Sequence, residues 1–384
     1  MLLVIDDKIP FMRGQAERLG RAVYLPGAEI GPRDVAEADA LIVRTRTKID
    51  KRLLDGSRVR FVATATIGTD HIDTAYLDSR GIGWASAPGC NAGSVAQYVA
   101  CTLAVLWQEG VLTMPPEKCT VGVVGVGHVG KRVCEAVRRM GCRVLRCDPP
   151  RAEEEGAAGF ATLDEVLAEA DVVTLHVPLT RVGKYATFHM ADVAFFDALK
   201  RKPVFINAAR GEVADTDALI AAIDAEKVGA AVIDTWEQEP RISPELLRRA
   251  RIATPHIAGY SADGKACGTR MALEAVARAL GRDDLRFDDI LPPPLPEGFV
   301  YSPEDFNNVL KSAISRQAKA NKFSLVFWLN EIVPVLEKAN EILPHPWREL
   351  LRLYDPRRDS RALKACPDEF EKLRGDYPLR REVF

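Results

Sequence analysis

Residues 120–148 constrain this chain more than any other stretch. TVGVVG is an apolar run ending in glycine, and the segment after it repeats apolar residues at helical spacing through Val133, Val137 and Met140. RVLRCD then forms a second apolar run closing on Asp148. Between run and helix lies G-x-G-x-x-G at Gly125, Gly127 and Gly130, with Asp148 eighteen residues beyond the last glycine. Such a triplet alone arises by chance in loops. Set between a strand and a helix it predicts a dinucleotide loop: Gly125 permits the tight turn, Gly127 lets the backbone approach a pyrophosphate, and Gly130 lets helix pack on strand. The helix N-terminus favours the anion, and His128 and Val129 add backbone contacts inside the loop. Asp148 is placed to accept hydrogen bonds from the adenosine ribose and to repel a 2′-phosphate, favouring NAD over NADP. Arg146 and Arg151 stand close enough in sequence to soften that preference.

Short apolar runs recur through about residue 260. LLVI, AVYL, ALIVR and RFVATAT form a first series, separated by helix-like segments such as Phe11–Leu19. TVGVVG, RVLRCD, VVTLHV, PVFINAA, AAVIDTW and RIATPH form a second. Strands that are apolar throughout, spaced by helices, predict parallel sheets covered on both faces. The chain therefore reads as α/β, with two doubly wound units that the helix-length stretch NAGSVAQYVACTLAVLW could join. Proline-rich LPPPLPEG at 291–298 cannot continue a helix. Beyond it lie helical patterns and a charged tail ending YPLRREVF.

A net charge of −2 over 384 residues gives no electrostatic reason to expect nucleic acid or a membrane surface as partner. No stretch approaches the apolar length of a membrane span, and MLLVIDDKIP reads as a first strand without the basic start of a signal peptide. The eight cysteines are scattered, and the pair Cys142 and Cys147 matches no zinc or redox spacing. Reduced thiols, a cytoplasmic location and no metal site are the expectation.

Polar groups cluster at the predicted carboxyl ends of the second series, where ligands bind in open α/β sheets. INAARGEVAD places Arg210 there, VIDTWEQEP places Asp234 and Glu239, and TPHIAGYS places His256. An arginine grips a carboxylate with two parallel hydrogen bonds, and a histidine exchanges a proton with a hydroxyl or carbonyl. A carboxylate paired with that histidine orients the ring and favours the imidazolium.

Taken in order, G-x-G-x-x-G, Asp148, HVPLT, ARG, DTWEQEP and PH resemble the D-isomer-specific 2-hydroxyacid dehydrogenases over most of residues 1–281. The resemblance implies that Arg210, Glu239 and His256 are catalytic. FVATATIGTDHID, APGCNAGSVAQYV, CDPPRA, HIAGYSADGKACGT and YPLRRE are similar to the branch of that family that oxidises a phosphorylated sugar acid. It implies substrate contacts at Thr45, Thr66 and Tyr260. Its cofactor contacts fall at Asp148, Val177, Ala208, Ala209, Arg210, Asp234 and Gly259, with Asp234 at the nicotinamide end. It also implies a discontinuous, flavodoxin-like substrate domain (1–92 and 261–288), a Rossmann NAD domain (93–260) and a C-terminal α+β domain (289–384) through which the chain forms a homodimer. Gln97 stands where the wider family commonly has glutamate, and the stretch around 306–340 is longer than expected.

A phosphate needs cations. Arg44 and Arg46 flank Thr45 and would share one face if the strand ALIVR continued through them. The tail pair Arg380-Arg381 could reach a neighbouring subunit's site. Two other readings stay open from sequence: a dehydrogenase of the 3-phosphoglycerate or glycerate type, and an NAD-sensing binding protein without catalysis.

Overall fold

The computed structural model describes residues 1–294, 351, 354–363, 366–377 and 379–382. The chain divides into two compact units, the described residues of Met1–Ala92 with Tyr260–Pro296, and those of Gly93–Gly259 with Glu297–Phe384.

In the first unit, β1 (Leu2–Asp6), β2 (Arg21–Leu25), β3 (Ala40–Val43), β4 (Phe61–Thr64) and β5 (Gly83–Ala85) form one parallel sheet in the order β2-β1-β3-β4-β5. Side chains alternate across a strand, so a strand apolar at every position feeds two cores. On one face Leu3 and Ile5 pack with Leu273, Val276 and Phe287; on the other Val4 joins Leu41, Val43, Leu53 and Leu77. The helix Ala262–Ala279 covers the first of these faces, and Ser261 caps it by accepting a 2.9 Å hydrogen bond from Gly264 N.

Two expectations fail in this unit. Phe11–Leu19 is not a helix; only a 3-10 turn over Ala16–Arg18 forms. Phe11 and Gly14 hold positive φ angles of 59° and 83°, which break the helical repeat even though the apolar spacing suits one. Strand β3 stops at Val43, and the chain turns so that Thr47 N donates to Arg44 O, so Arg44 and Arg46 do not share a strand face.

In the second unit, β6 (Thr120–Val124), β7 (Arg143–Cys147), β8 (Val172–Leu175), β9 (Val204–Asn207), β10 (Ala230–Ile233) and β11 (Ile252–Ala253) form a parallel sheet ordered β11-β10-β9-β8-β6-β7. The chain leaves β6 first for β7 on one side, then returns to β8 on the other. That reversal opens a crevice beyond the carboxyl ends of β6 and β8. The helix Ala92–Gln108 has the span expected of NAGSVAQYVACTLAVLW.

Most of the 289–384 segment expected to dimerise lies outside the described residues. Residues 289–294 belong to the first unit, and the described residues from 351 on belong to the second. Leu363 and Phe370 are buried in the same apolar cluster as Ile233, Leu246 and Ala253. The helix Pro356–Ala362 lies along the sheet edge at β11, where Ser360 Oγ accepts a 2.9 Å hydrogen bond from Ala253 N. An edge strand with free N–H groups is thereby covered.

Candidate active site

The cofactor and catalytic candidates of the second unit sit at or just beyond carboxyl strand ends. After β6, Gly125 adopts φ +87°, and a Cβ there would lie 2.7 Å from the His176 carbonyl at the end of β8. Only glycine meets both demands. A Cβ on Gly130 would overlap the Gly125 carbonyl oxygen, so this position sets how closely the helix His128–Arg139 approaches the turn. Gly127 differs. It is the N-cap of that helix, uses no side-chain cap, and has no atom within 4 Å of where a Cβ would stand. The first-turn amides therefore face open space beside a bare backbone, the arrangement a pyrophosphate needs. His128 is exposed and Val129 half-buried on that first turn, and Val177 is half-buried beside the Gly125 turn.

Asp148 ends β7. Its Oδ2 accepts from Val126 N at 2.8 Å and its Oδ1 from Arg151 N at 3.2 Å, so the carboxylate is fixed against the glycine loop. Both nearby arginines are already engaged. Arg151 forks onto Glu155 at 2.6 and 2.7 Å and donates to Val126 O, while Arg146 donates to Gly159 O at 2.9 Å. His176 follows β8 with its Nε2 3.0 Å from Thr174 Oγ1, and burial pushes its pKa down to about 3, so the ring stays neutral at working pH.

The proton-handling groups converge beyond β9, β10 and β11. Asn207 closes β9; its side chain donates to Arg210 O at 3.0 Å and accepts from Ala209 N at 3.2 Å, shaping the turn Ala208–Arg210. Arg210 donates to Ala209 O at 2.8 Å. His256 Nδ1 lies 2.8 Å from Glu239 Oε2, and Glu239 Oε1 accepts from Trp236 N at 2.9 Å. Burial pushes the Glu239 carboxyl up, but the charge and hydrogen bond of His256, with Arg374 behind them, outweigh it and leave its pKa lowered. Glu239 is therefore a carboxylate at any working pH.

His256 holds φ +55°, a region a non-glycine residue rarely occupies, and such strain costs of order 1–3 kcal/mol where surroundings enforce it. Asp234 supplies part of that enforcement. It is 1% exposed, and its carboxylate accepts from Thr254 Oγ1 at 2.6 Å, Ile257 N at 2.8 Å and Ala258 N at 3.0 Å. Burial raises its pKa against the pull of His256 and those donors. The structure thus gives Asp234 a job the sequence did not suggest, as the staple of the histidine loop. Gly259 follows that loop, half-buried.

The sequence model for the D-isomer specific 2-hydroxyacid dehydrogenase NAD binding domain matches residues 95–258. Erythronate-4-phosphate dehydrogenase of Bacteroides thetaiotaomicron is 44% identical over 383 residues, covering 100% of this chain and 97% of that protein. The chain belongs to the D-isomer-specific 2-hydroxyacid dehydrogenase family. Erythronate-4-phosphate dehydrogenase of an Escherichia coli strain is 37% identical over 386 residues, covering 100% of this chain and 92% of that protein. Among solved structures, D-lactate dehydrogenase from Aquifex aeolicus with NAD and lactic acid superposes with a TM-score of 0.61 at 25% identity, covering 77% of this chain and 100% of that one. This member of the family is an NAD-dependent oxidoreductase acting on a CH–OH group.

The remaining candidates of this dehydrogenase lie in the first unit. Thr45 is exposed in the turn after β3. Thr66 follows β4, its hydroxyl 2.7 Å from Thr64 Oγ1. Tyr260 carries Lys265 Nζ 4.2 Å from its ring centroid. Arg44 is already partly engaged: its Nε and one terminal nitrogen each donate at 3.1 Å to Asp6, which is 0% exposed. A buried carboxylate demands such a partner, so this ion pair serves the fold first. Arg380, expected in a tail reaching toward a second subunit, is 7% exposed and bound within its own chain. Trp236, Asn207, Arg374 and Arg380 support the site without having been singled out for that role. Trp236 lies inside DTWEQEP, Asn207 inside INAARGEVAD and Arg380 inside YPLRRE, whereas Arg374 lies in none of the quoted motifs.

Proposed function

We propose that this dehydrogenase oxidises 4-phospho-D-erythronate to 2-oxo-3-hydroxy-4-phosphobutanoate with NAD, in the formation of pyridoxal 5′-phosphate. The observation that carries the chemistry is the His256–Glu239 contact of 2.8 Å beside the Arg210 turn. The substrate comes from full-length relatives bearing that activity in their name.

With Nδ1 donating to the Glu239 carboxylate, the neutral imidazole presents Nε2 as a proton acceptor. His256 takes the C2 hydroxyl proton through that atom, and the positive ring that results is stabilised by Glu239, whose charge is fixed beforehand. Arg210 holds the substrate carboxylate and polarises the forming carbonyl. Gly125, Gly127, Gly130 and the amides of His128 and Val129 would hold the pyrophosphate of NAD, and Asp148 its ribose. Val177, Ala208, Ala209, Asp234 and Gly259 would line its remaining length. When bound, NAD supplies the acceptor for the C2 hydride. Thr45, Thr66 and Tyr260 are assigned to the substrate, with Arg44 and Arg46 as candidate cations for its phosphate. The first unit serves as the substrate-binding domain and the second as the NAD domain.

Turnover followed by NADH absorbance should be highest with 4-phosphoerythronate, and lower with erythronate and with 3-phosphoglycerate. Equal or better turnover of either comparator would overturn the substrate assignment. Binding of NAD without reduction by any hydroxy acid would instead favour a sensor. Free thiols at all described cysteines agree with a cytoplasmic location. Homodimerisation through residues 289–384 is part of the same reading, and sedimentation at the single-chain mass across micromolar concentrations would refute it.

A further inference from the structure

The histidine loop is gripped from two sides, and only one grip belongs to the sheet. Asp234 takes the N–H groups of Ile257 and Ala258. Their carbonyl oxygens are taken by Arg380: one terminal nitrogen donates to Ile257 O at 2.9 Å, and the other donates to Ala258 O. The second nitrogen also donates to Ser94 Oγ at 2.9 Å, and Ser94 Oγ donates in turn to Ala258 O at 2.8 Å. Two consecutive residues after His256, Ile257 and Ala258, are thus held by an anion at their N–H groups and a cation at their carbonyls.

Arg380 is an unusual residue to find in this place. It is 7% exposed, its guanidinium lies 4.3 Å from the Tyr354 ring centroid, and its Nε has no hydrogen-bond partner among the described residues. Its described hydrogen-bond partners are carbonyls and hydroxyls rather than a carboxylate; the half-buried carboxylate of Asp359 feels its charge across the Tyr377 hydroxyl that lies between them. An apolar residue of similar volume would cost less desolvation. What the planar fork does supply is simultaneous hold on several acceptors in fixed geometry. The same segment also reaches the other half of the proton relay. Arg374, on the helix Pro367–Gly375, lies 3.5 Å from Glu239 Oε2, the oxygen that meets His256.

We propose that Arg374 and Arg380 form a positioning pair for proton transfer: Arg380 holds the loop that sets the His256 ring, and Arg374 holds and polarises its partner Glu239. Neither touches the reacting atoms. The proposal rests on His256 acting as the base, and it goes beyond that reading by making catalysis depend on the segment that follows the two sheets.

Arg380→Met keeps the bulk and removes the fork. With whichever hydroxy acid the parent enzyme turns over, its kcat should fall about tenfold to a hundredfold, the scale of a misplaced catalytic group, while NAD affinity stays within about twofold. Added guanidinium should restore part of that loss, a response that general loosening of the fold would not give. A folded Arg380→Met enzyme with parental kcat overturns the proposal. Absence of turnover by the parent with every hydroxy acid would sink the functional reading instead.

If Arg380→Met does not fold, two milder variants decide. Ser94→Ala cuts one link of the same clamp and should lower kcat several-fold with NAD affinity kept. Arg374→Gln removes the cation beside Glu239. Among the described residues, His256 is then the charged group bonded to that carboxylate, with buried Asp234, which follows β10, beyond it. Loss of a positive neighbour raises the proton affinity of the His256–Glu239 pair, so the acid limb of kcat/KM should move to higher pH. Parental kcat in Ser94→Ala with an unmoved limb in Arg374→Gln overturns the proposal.

Discussion

His256→Ala should lower kcat by about 10²–10⁴-fold, the usual worth of a positioned acid–base group, while NAD affinity is nearly kept. The two halves of that expectation have separate structural sources. The glycine loop and Asp148 stand at the ends of β6 and β7, whereas His256 follows β11, at the opposite end of the six-stranded order. Deleting the ring therefore leaves the groups assigned to the pyrophosphate and ribose untouched. It also leaves Glu239 with a cation, because Arg374 remains 3.5 Å from Oε2, so the uncompensated charge that makes such deletions unfold a protein is avoided. Alanine at φ +55° carries about the same backbone strain as histidine, so the loop keeps its reason to be held rather than relaxing. Initial rates give kcat, and a fluorescence titration gives NAD affinity. Near-normal turnover in the variant would remove His256 from the mechanism.

The glycine loop should separate stability from binding when its second and third glycines are compared. Gly130→Ala drives a methyl group into the Gly125 carbonyl, a backbone atom with little room to yield. Strain of this kind costs about 1–3 kcal/mol, so both melting temperature and NAD affinity should fall. Gly127→Ala meets nothing within 4 Å, and its φ of −71° suits any residue. Its melting temperature without NAD should be close to the parent's or slightly higher, since alanine narrows the unfolded ensemble. Its NAD affinity should nevertheless drop by about tenfold or more, because that bare backbone is where the pyrophosphate approaches. Thermal melts with and without NAD measure both quantities. If Gly127→Ala kept full affinity, the anion would have to bind elsewhere on the loop.

Much of this arrangement was legible beforehand, and the reasons differ by residue. The second series of strands was readable because buried parallel strands are apolar at every position, which leaves little competing pattern. Arg210, Glu239 and His256 were readable because each follows such a run directly. Phe11–Leu19 misled because apolar spacing was counted without the turn chemistry of Pro10 and Gly14. The ion pair of Arg44 was not legible because its partner Asp6 lies 38 residues away in sequence, and no local pattern announces such a long-range pair. Asp234 was found, but its hold on the histidine loop was not: its position is sequential, while its three donors come from a loop twenty or more residues later. Arg380 was the hardest. Charged pairs in a tail are ordinarily solvated, and only the carbonyls it meets make burial tolerable.

The order of the first unit along the chain also has a consequence for how the protein is made. All five of its strands are present by Ala85, yet the helix that seals one face of their sheet begins at Ala262. At roughly 5–20 residues per second, a ribosome needs on the order of 10–35 s to deliver that cover. Throughout the interval Leu3, Ile5, Ile42 and Ala63 lack the Leu273 and Val276 they pack against in the finished unit. The nascent chain thus carries an open apolar sheet while all six strands of the second sheet emerge behind it. This is the window in which a holding chaperone, or a slower codon run placed after residue 85, would most affect yield.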